Sequence, residues 1–551
     1  MQESRLPLGA TTLAAFALAA VPLALAAPRA AAATTTLTVT TAADPATTAC
    51  PATADPCSLR AAVNAANTAG SGSTVIIDFA VAGPITLTQG ALPVNNGEDL
   101  TIQGNTAGST VIDGGGSDRV VALSGGGCNP TVVSTLTLSH VTLQNGHAQF
   151  AGPDDGYGGA IDVNCADVLN LVDSTLAGNT ANAGGGAIND NTSAPVMVVR
   201  STISGNRSTG ASLATPPDGG GGIELSTAGT LTVIDSTIAG NDTAWSGGGI
   251  YAVTGSTLTL VNDTISGNTD SGTPAGVTAT GGVYAQANLT TSVANTIISG
   301  NTPANCSGTL TDSGHNLEQG TSCGFSSHAI NADPKLGTLQ DNGGPAKTMA
   351  LQPGSPAIDA GDDTTCTANP TASPPGAGGL DERSVTRPQS AHCDVGAFEV
   401  VATTTQLSAP TTATPGQSIT LVATVSPAQA IPGQPTGTVT FLDGTSVLGT
   451  APLSGGSPDT ASFSTTVPSG GTAGLLARYE GSPDFLPSTS PAQPPAAASP
   501  TPSPSGSAGG VIAAPNTGAS PPPAGAALLA AVAGAATLAA AFGRRRRRRN
   551  A

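Results

Sequence analysis

A six-residue pattern returns along the middle of this chain, and it narrows the architectures open to it more than any other feature. It reads Ser174-Thr-Leu-Ala-Gly-Asn179, Ser201-Thr-Ile-Ser-Gly-Asn206, Ser236-Thr-Ile-Ala-Gly-Asn241 and Asp263-Thr-Ile-Ser-Gly-Asn268. Asn295-Thr-Ile-Ile-Ser-Gly-Asn301 reads as a stretched copy and His140-Val-Thr-Leu-Gln-Asn145 as a diverged one. The apolar anchors Leu143, Leu176, Ile203, Ile238, Ile265 and Ile297 stand 33, 27, 35, 27 and 32 residues apart. Self-similarity at such a period marks a stack of supersecondary units, each too small to bury its own apolar face.

Two further elements separate the copies. One is a glycine pair before an aliphatic residue: Gly158-Gly-Ala-Ile161, Gly185-Gly-Ala-Ile188, Gly221-Gly-Ile223, Gly248-Gly-Ile-Tyr251 and Gly281-Gly-Val-Tyr284. The other alternates polar and apolar residues, as in Thr230-Leu-Thr-Val-Ile234 and Thr257-Leu-Thr-Leu-Val261. Each unit therefore predicts three short β-segments joined by Gly or Asn turns, with no helix between them. Parallel strands in one sheet need a crossover connection, and a coil of three strands makes every turn of chain the crossover for the next. The pattern thus predicts a parallel β-solenoid, with the Ile or Val of each segment in a narrow core. The motif asparagines Asn179, Asn206, Asn241, Asn268 and Asn301 would then stand about 4.8 Å apart, close enough for their amides to bond along the stack. Glycine supplies the corner angles. A propeller or sandwich, the competing strand-rich fold, would need two-residue hairpin turns that these segments lack.

Composition agrees with strands more than with helices. The 551 residues include 72 Gly and 43 Pro, and only 9% are charged and 3% aromatic, which argues against an ordinary helical or α/β enzyme. Charge is uneven. Once residues 1–33 and everything after Thr517 are set aside, nine basic residues face 34 acidic ones. Such a surface repels nucleic acid and anionic lipid, so neither is an expected partner.

The two ends read as export and attachment signals. The apolar run Leu13 to Ala27 and the small residues up to Ala33 form a signal peptide (1–33) cut between Ala33 and Thr34, an uncleaved anchor being the alternative. Residues 491–523 are a Pro/Ser-rich spacer unable to bury a core. Residues 524–542 are uncharged and long enough to span a bilayer, and Arg544 to Arg549 in the tail 543–551 would hold the cytoplasmic side. For an exported chain the eight cysteines suit disulfides. They fall in local couples, Cys50/Cys57, Cys128/Cys165, Cys306/Cys323 and Cys366/Cys393, with no zinc-like spacing.

Several segments carry family resemblances. Cys57-Ser-Leu-Arg-Ala-Ala resembles the C-S-L-R-E-A motif that opens bacterial surface β-helix proteins, with Ala61 where the family has Glu. Residues 57–67 are expected to form a short helix capping the N-terminal end. Residues 295–400 resemble the choice-of-anchor Q domain of secreted bacterial proteins. The matching pieces are Gly314-His-Asn-Leu317, Asp333-Pro-Lys-Leu-Gly337, Leu339-Gln-Asp-Asn-Gly-Gly-Pro345, Pro353-Gly-Ser-Pro-Ala-Ile-Asp-Ala-Gly361 and Cys393-Asp-Val-Gly-Ala-Phe-Glu399. Residues 402–490 alternate as in an Ig-like β-sandwich: Asp443-Gly444 marks a hairpin, and Arg478-Tyr-Glu-Gly-Ser-Pro-Asp-Phe485 resembles the late strand and loop of bacterial Ig-like repeats. Ala514-Pro515-Asn516-Thr517-Gly518, the apolar segment and the arginines resemble the sortase sorting signal of Gram-positive surface proteins, with Ala514 in place of its Leu. Together these resemblances imply an all-β chain: a right-handed parallel β-helix over 34–400, a small Ig-like sandwich and a C-terminal transmembrane segment. They also imply attachment to cell-wall peptidoglycan, with a plain membrane anchor as the alternative.

The same helical scaffold carries polysaccharide lyases and hydrolases, so the chemistry-bearing residues need their own reading. Asn268-Thr269-Asp270 matches the N-T-D of polygalacturonases, but Asn268 is the repeat asparagine and no Arg-x-Lys occurs. Asp154-Asp155 offers oxygen ligands suited to calcium, and no other cofactor is expected. His140, His147, His315, His328 and His392 form no metal-spaced pair. Trp245 and Tyr251 flank one turn and could stack on sugar. The leading expectation is a non-catalytic surface protein that adheres to an external ligand such as carbohydrate. A carbohydrate-active enzyme and a passive coat or stalk protein are the alternatives.

Overall fold

The computed structural model describes residues 34–494 apart from 46–49, 51–55, 106–109, 125–131, 151–155, 211–217, 274–277, 327, 411 and 432. Among these residues α-helix is confined to Leu59–Ala69 (α1) and Asp363–Thr367 (α2). Four parallel sheets run the length of a solenoid. Sheet A stacks ten strands from Thr34–Val39 to Asp312–Gly314, and sheet B ten from Ile85–Thr86 to Ile330–Asn331. Sheet C stacks eight from Leu92–Val94 to Cys306–Ser307. Sheet D holds five two-residue strands, from His147–Ala148 to Thr269–Asp270. The expected three segments per coil become four, because the two residues after each motif asparagine also pair with their counterparts, as Thr180 does with Arg207.

Register follows from the alternation of side chains. In sheet A, Leu169/Leu171, Val196/Val198, Leu231/Val233 and Leu258/Leu260 face inward, fully buried, each above its counterpart. Each contributes roughly 1.5–3 kcal/mol by leaving water. A slip of one residue would turn every one of them to solvent, so the core fixes the register. In the fifth motif copy the core residue is Ile298, which pairs with Ile265; Ile297 pairs with Thr264 and faces outward. That copy is therefore not stretched. Its Asn295 stands one place before the motif, beside Asn262 of the previous coil.

Both ends of the core are closed. Ser58 caps α1 by accepting the Ala61 N–H at 3.2 Å, and Leu59, Ala62, Val63 and Ala66 lie in the core cluster. Arg60, also in α1, holds Asp44 at 2.7 and 3.0 Å and donates to the Ala91 carbonyl, tying the cap to the first coils. Cys50–Cys57 closes this end and Cys306–Cys323 the other.

After Asn331 the chain turns back. Residues 332–400 form an irregular flap over the outer face of sheet B, where Ile297 and Leu317 pack with Leu351, Ala357, Val395, Phe398 and Val400. The Cys366–Cys393 disulfide ties the flap to itself. An Ig-like sandwich follows. Its three-stranded sheet comprises Thr403–Ser408, Ser418–Pro427 and Asp459–Thr466. Its four-stranded sheet comprises Thr438–Asp443, Ser446–Pro452, Leu475–Tyr479 and Ser488–Thr489. Gly444, at φ +58°, makes the hairpin turn after Asp443. Tyr479 and Phe485 are buried in the core, and the Tyr479 hydroxyl donates to the Thr436 carbonyl at 2.8 Å. Val385 of the flap is buried in the same core, so the sandwich is mounted on the flap.

Candidate functional site

The motif asparagines come together as one buried ladder. Asn179 Nδ2 donates to Asn206 Oδ1, Asn206 to Asn241, Asn241 to Asn268 and Asn268 to Asn301, each at 2.9 Å. Every one of these Oδ1 atoms also accepts the backbone N–H of the preceding asparagine, and each Nδ2 reaches a carbonyl in the coil before. The ladder ends on Asn305, whose Nδ2 donates to the Gln319 carbonyl at 2.8 Å. Corner glycines with φ near +65°, such as Gly178 and Gly240, turn the chain into it. The diverged copy departs: Asn145 takes the positive-φ corner and Gly146 occupies the ladder place, its N–H donating to Asn179 Oδ1. These amides bond within the fold and are buried, so none is open to a ligand.

A second ladder lies at the start of each motif. The N–H groups of Ser174, Ser201, Ser236, Asp263 and Thr296 donate to Ser201 Oγ, Ser236 Oγ, Asp263 Oδ1, Thr296 Oγ1 and Asn316 Oδ1 in turn. One residue earlier, Asp173, Arg200, Asp235, Asn262 and Asn295 all take φ between +45° and +56°, and Asp235 and Asn262 meet Arg387 and Cys366 of the flap. Arg200 clasps Asp173 at 2.8 and 2.9 Å. Asn295 Nδ2 and Oδ1 bond the backbone of Asp362. The signal for this positive-φ row was present one place upstream of each motif copy, as a polar residue of changing identity.

The flap brings many charges into this dry seam. Glu382 accepts the hydroxyls of Thr202 and Thr237, one from each of two coils, at 3.0 and 2.5 Å. Arg387 contacts Glu399 at 3.0 Å and Asp235 at 3.4 Å, and Arg383 pairs with Asp381 while lying 3.5 Å over the Phe398 ring. Burial pushes the carboxyls of Asp235, Asp263, Glu382 and Asp394 well above the usual carboxylate range, and raises Glu399 as well. Glu382 and the Arg387–Asp235 pair join flap to solenoid, and all of these carboxyls are closed to solvent.

On sheet C an outward row of polar and aromatic side chains runs Asp162, Asn189, Glu224, Tyr251 and Tyr284 in register. Asn189 donates to Asp162 at 2.7 Å, and Tyr251 stacks on Tyr284 with ring centroids 5.0 Å apart. Glu224 is 1% exposed, and a Cβ at Gly184 would collide with its carboxylate, so the preceding loop lies directly on it. Burial, then the charges of Asp218 and Asp162, push its pKa well up. Asp190 points the other way, into the core between Val163 and Leu225, and burial raises it to about 7.

The remaining sequence candidates have local roles. Asp270 of the N-T-D match caps its own loop, accepting the N–H groups of Gly272, Thr273 and Thr280. Tyr251 is 3% exposed, which removes it as a free sugar platform, while Trp245 is half-buried. A cavity of about 320 Å³ is ringed by His315, Asp359, Asp362, Asp363 and His392, but Asp362 caps α2 and Asp363 holds His392 at 3.0 Å. Among the described residues no group of three His, Cys, Asp or Glu is set to hold a metal ion, and no helix is long and apolar enough to cross a membrane. Cys165 is disulfide-bonded, though Cys128 lies outside the described residues. So do Ala33, Asp154-Asp155, the motif Ala514–Gly518 and the segment 524–542.

Residues 404–498 match the bacterial Ig-like domain (group 3) family, which agrees with the seven-stranded sandwich. The chain matches no curated protein and no solved structure.

Proposed function

We propose that this chain is a non-catalytic surface protein of a Gram-positive-type bacterium that adheres to an external ligand through the side of its solenoid. The observation that carries this reading is the mounting of the sandwich. The chain does not leave the solenoid from its end. It folds back through the flap, whose Glu382 grips the Thr202 and Thr237 coils, and enters the sandwich core at Val385. A sandwich placed there, followed by a Pro/Ser-rich spacer, holds the coil stack by its flank and presents its other faces outward. The buried ladders and the covered Glu224 support a structural use of polar residues over a catalytic one. A catalytic carboxyl must reach substrate, and Glu224 is enclosed.

In this reading the choice-of-anchor Q-like region is the flap that couples display module to stalk. Ala514-Pro515-Asn516-Thr517-Gly518 is the sorting motif, cut after Thr517 and joined to peptidoglycan, and 524–542 holds the chain in the membrane until then. The test is Thr517→Ala. The wild-type protein should stay with the wall after boiling in detergent, and the variant should be extracted. Wild type that is already extractable would replace wall linkage by a membrane anchor.

A further inference from the structure

Alternate positions of each sheet A strand lie on its outer face; the third of them, Ile234, Val261 and Ala294, is buried, and over three successive coils the first two form a small lattice. The pairs are Thr230/Thr232, Thr257/Thr259 and Thr290/Ser292, aligned residue for residue across five-residue pairings. Between the members of each pair Leu231, Leu258 and Thr291 point inward, so the hydroxyls stand on a packed base. Strand pairing sets their spacing at about 4.8 Å along the stack, and the two-residue strand repeat at about 6.7 Å across it. Thr290 is exposed and the other five are partly so, and no hydroxyl of Thr230, Thr232, Thr257 or Thr259 bonds another protein group among the described residues.

We propose that this lattice is a binding face for ice. Four features select that ligand. The chain carries 35 acidic against 17 basic residues, yet none of the six positions is charged, so the face complements a neutral partner and offers nothing to an ionic polymer. None of the six is aromatic, which removes the stacking platform that sugar rings use. The array repeats in two directions, and both spacings fall near oxygen repeats of hexagonal ice, a neutral lattice of water molecules. Five of the six are threonine, whose methyl and hydroxyl sit on one stiff χ1 bond. Each can therefore hold a water at the hydroxyl while the methyl restrains its neighbours. The ordering cost was met when the coils stacked, so little is left to lose on binding. Strand propensity accounts for single threonines; it does not account for uncharged hydroxyl pairs on successive coils. The proposal rests on the solenoid flank being the displayed face.

The test freezes the full chain slowly in lipid nanodiscs together with empty nanodiscs and an inert tracer protein, and compares ice and liquid fractions. Wild type should be enriched in ice by about tenfold over the tracer, a free-energy difference near 1.4 kcal/mol. The double variants T232K/T259K and T230K/T257K, each charging one rank, should fall to the tracer level. T420K, at an exposed position of the sandwich, should keep the enrichment. Two independent ranks guard against one variant failing to fold, which a shifted melting temperature would show. Wild type excluded from ice, or enrichment that survives in a folded rank variant, overturns the proposal. Antibody labelling of intact cells reads display separately. Unlabelled cells with an ice-enriched protein would sink the display reading alone, and labelled cells with an ice-excluded protein would sink the ice face alone.

Discussion

At the residue scale the telling position is Asp190, a carboxyl placed in a column of core hydrophobes. It pairs with Val163 on one side and Leu225 on the other, accepts only the Thr192 N–H for one oxygen, and has its other oxygen unpartnered. Burial raises its pKa from 3.8 to about 7. A raised folded-state pKa means that the folded protein holds the proton more tightly than the unfolded one. The contribution is thus fully present below pH 3.8 and lost as pH climbs to about 7. Its span is roughly 4 kcal/mol, about three pKa units at 1.36 kcal/mol each. Asp190→Asn removes the charge and keeps the shape. Denaturant titrations should show the variant gaining about that much on wild type at pH 8 and little at pH 3. A parallel pH dependence in the two proteins would place the titration elsewhere. The ladder makes the opposite prediction. Asn241→Ala leaves Asn206 N–H without its acceptor in a dry interior and takes one partner each from Asn206 Nδ2 and the Ile203 carbonyl, at a cost of about 3 kcal/mol at any pH.

At the scale of elements, the flap against sheet B is where acid and stability meet. Asp235, Glu382, Asp394 and Glu399 all have raised pKa values through burial. By the same sign, docking of the flap is strongest at acid pH and weakens as pH rises through those values. Amide exchange at Thr202–Ser204 and Thr237–Ala239, corrected for intrinsic rate, should show protection falling toward alkaline pH. Glu382→Gln keeps an acceptor for one threonine and a donor for the other, so the variant should hold the flap while flattening the trend. An undiminished slope would acquit Glu382. This element also marks the limit of what the sequence disclosed. The coils were legible because one motif repeats and its asparagines must stack. The flap has no period, and its contacts join Glu382 to residues 145 and 180 places away in the chain. Ile297 shows the same limit in one residue. Taken alone it reads as a core anchor; only the outward apolar surface needed beneath the flap explains two isoleucines in succession. The hydroxyl lattice could be read from Thr-Leu-Thr in two strands, but its flatness depends on register that the third strand, Thr290–Ala294, hides behind Thr291.

For the whole molecule the decisive joint is between flap and sandwich. Val385 is 1% exposed inside the sandwich core, beside Val439, Phe441 and Tyr479 in the same cluster. Thr386 and Gln389 bond Gln429 around it, at 2.8 to 3.3 Å, and the Val401 N–H reaches the Asp484 carbonyl at 3.0 Å. A side mount of this kind fixes the orientation of the solenoid on the sandwich, whereas an end-to-end tether through a few residues would let it swing. Val385→Asp buries a carboxylate without a partner, a cost of about 3 kcal/mol or more that falls on the joint and on the sandwich. The solenoid has its own core cluster and does not include Val385. Its melting transition should therefore stay in place while the sandwich transition moves down and separates from it. Solution scattering should report a larger radius of gyration, and limited proteolysis should open between 400 and 403. If instead both transitions drop together, the sandwich is part of what holds the coils, and the solenoid is a member of one cooperative body instead of cargo carried on a stalk.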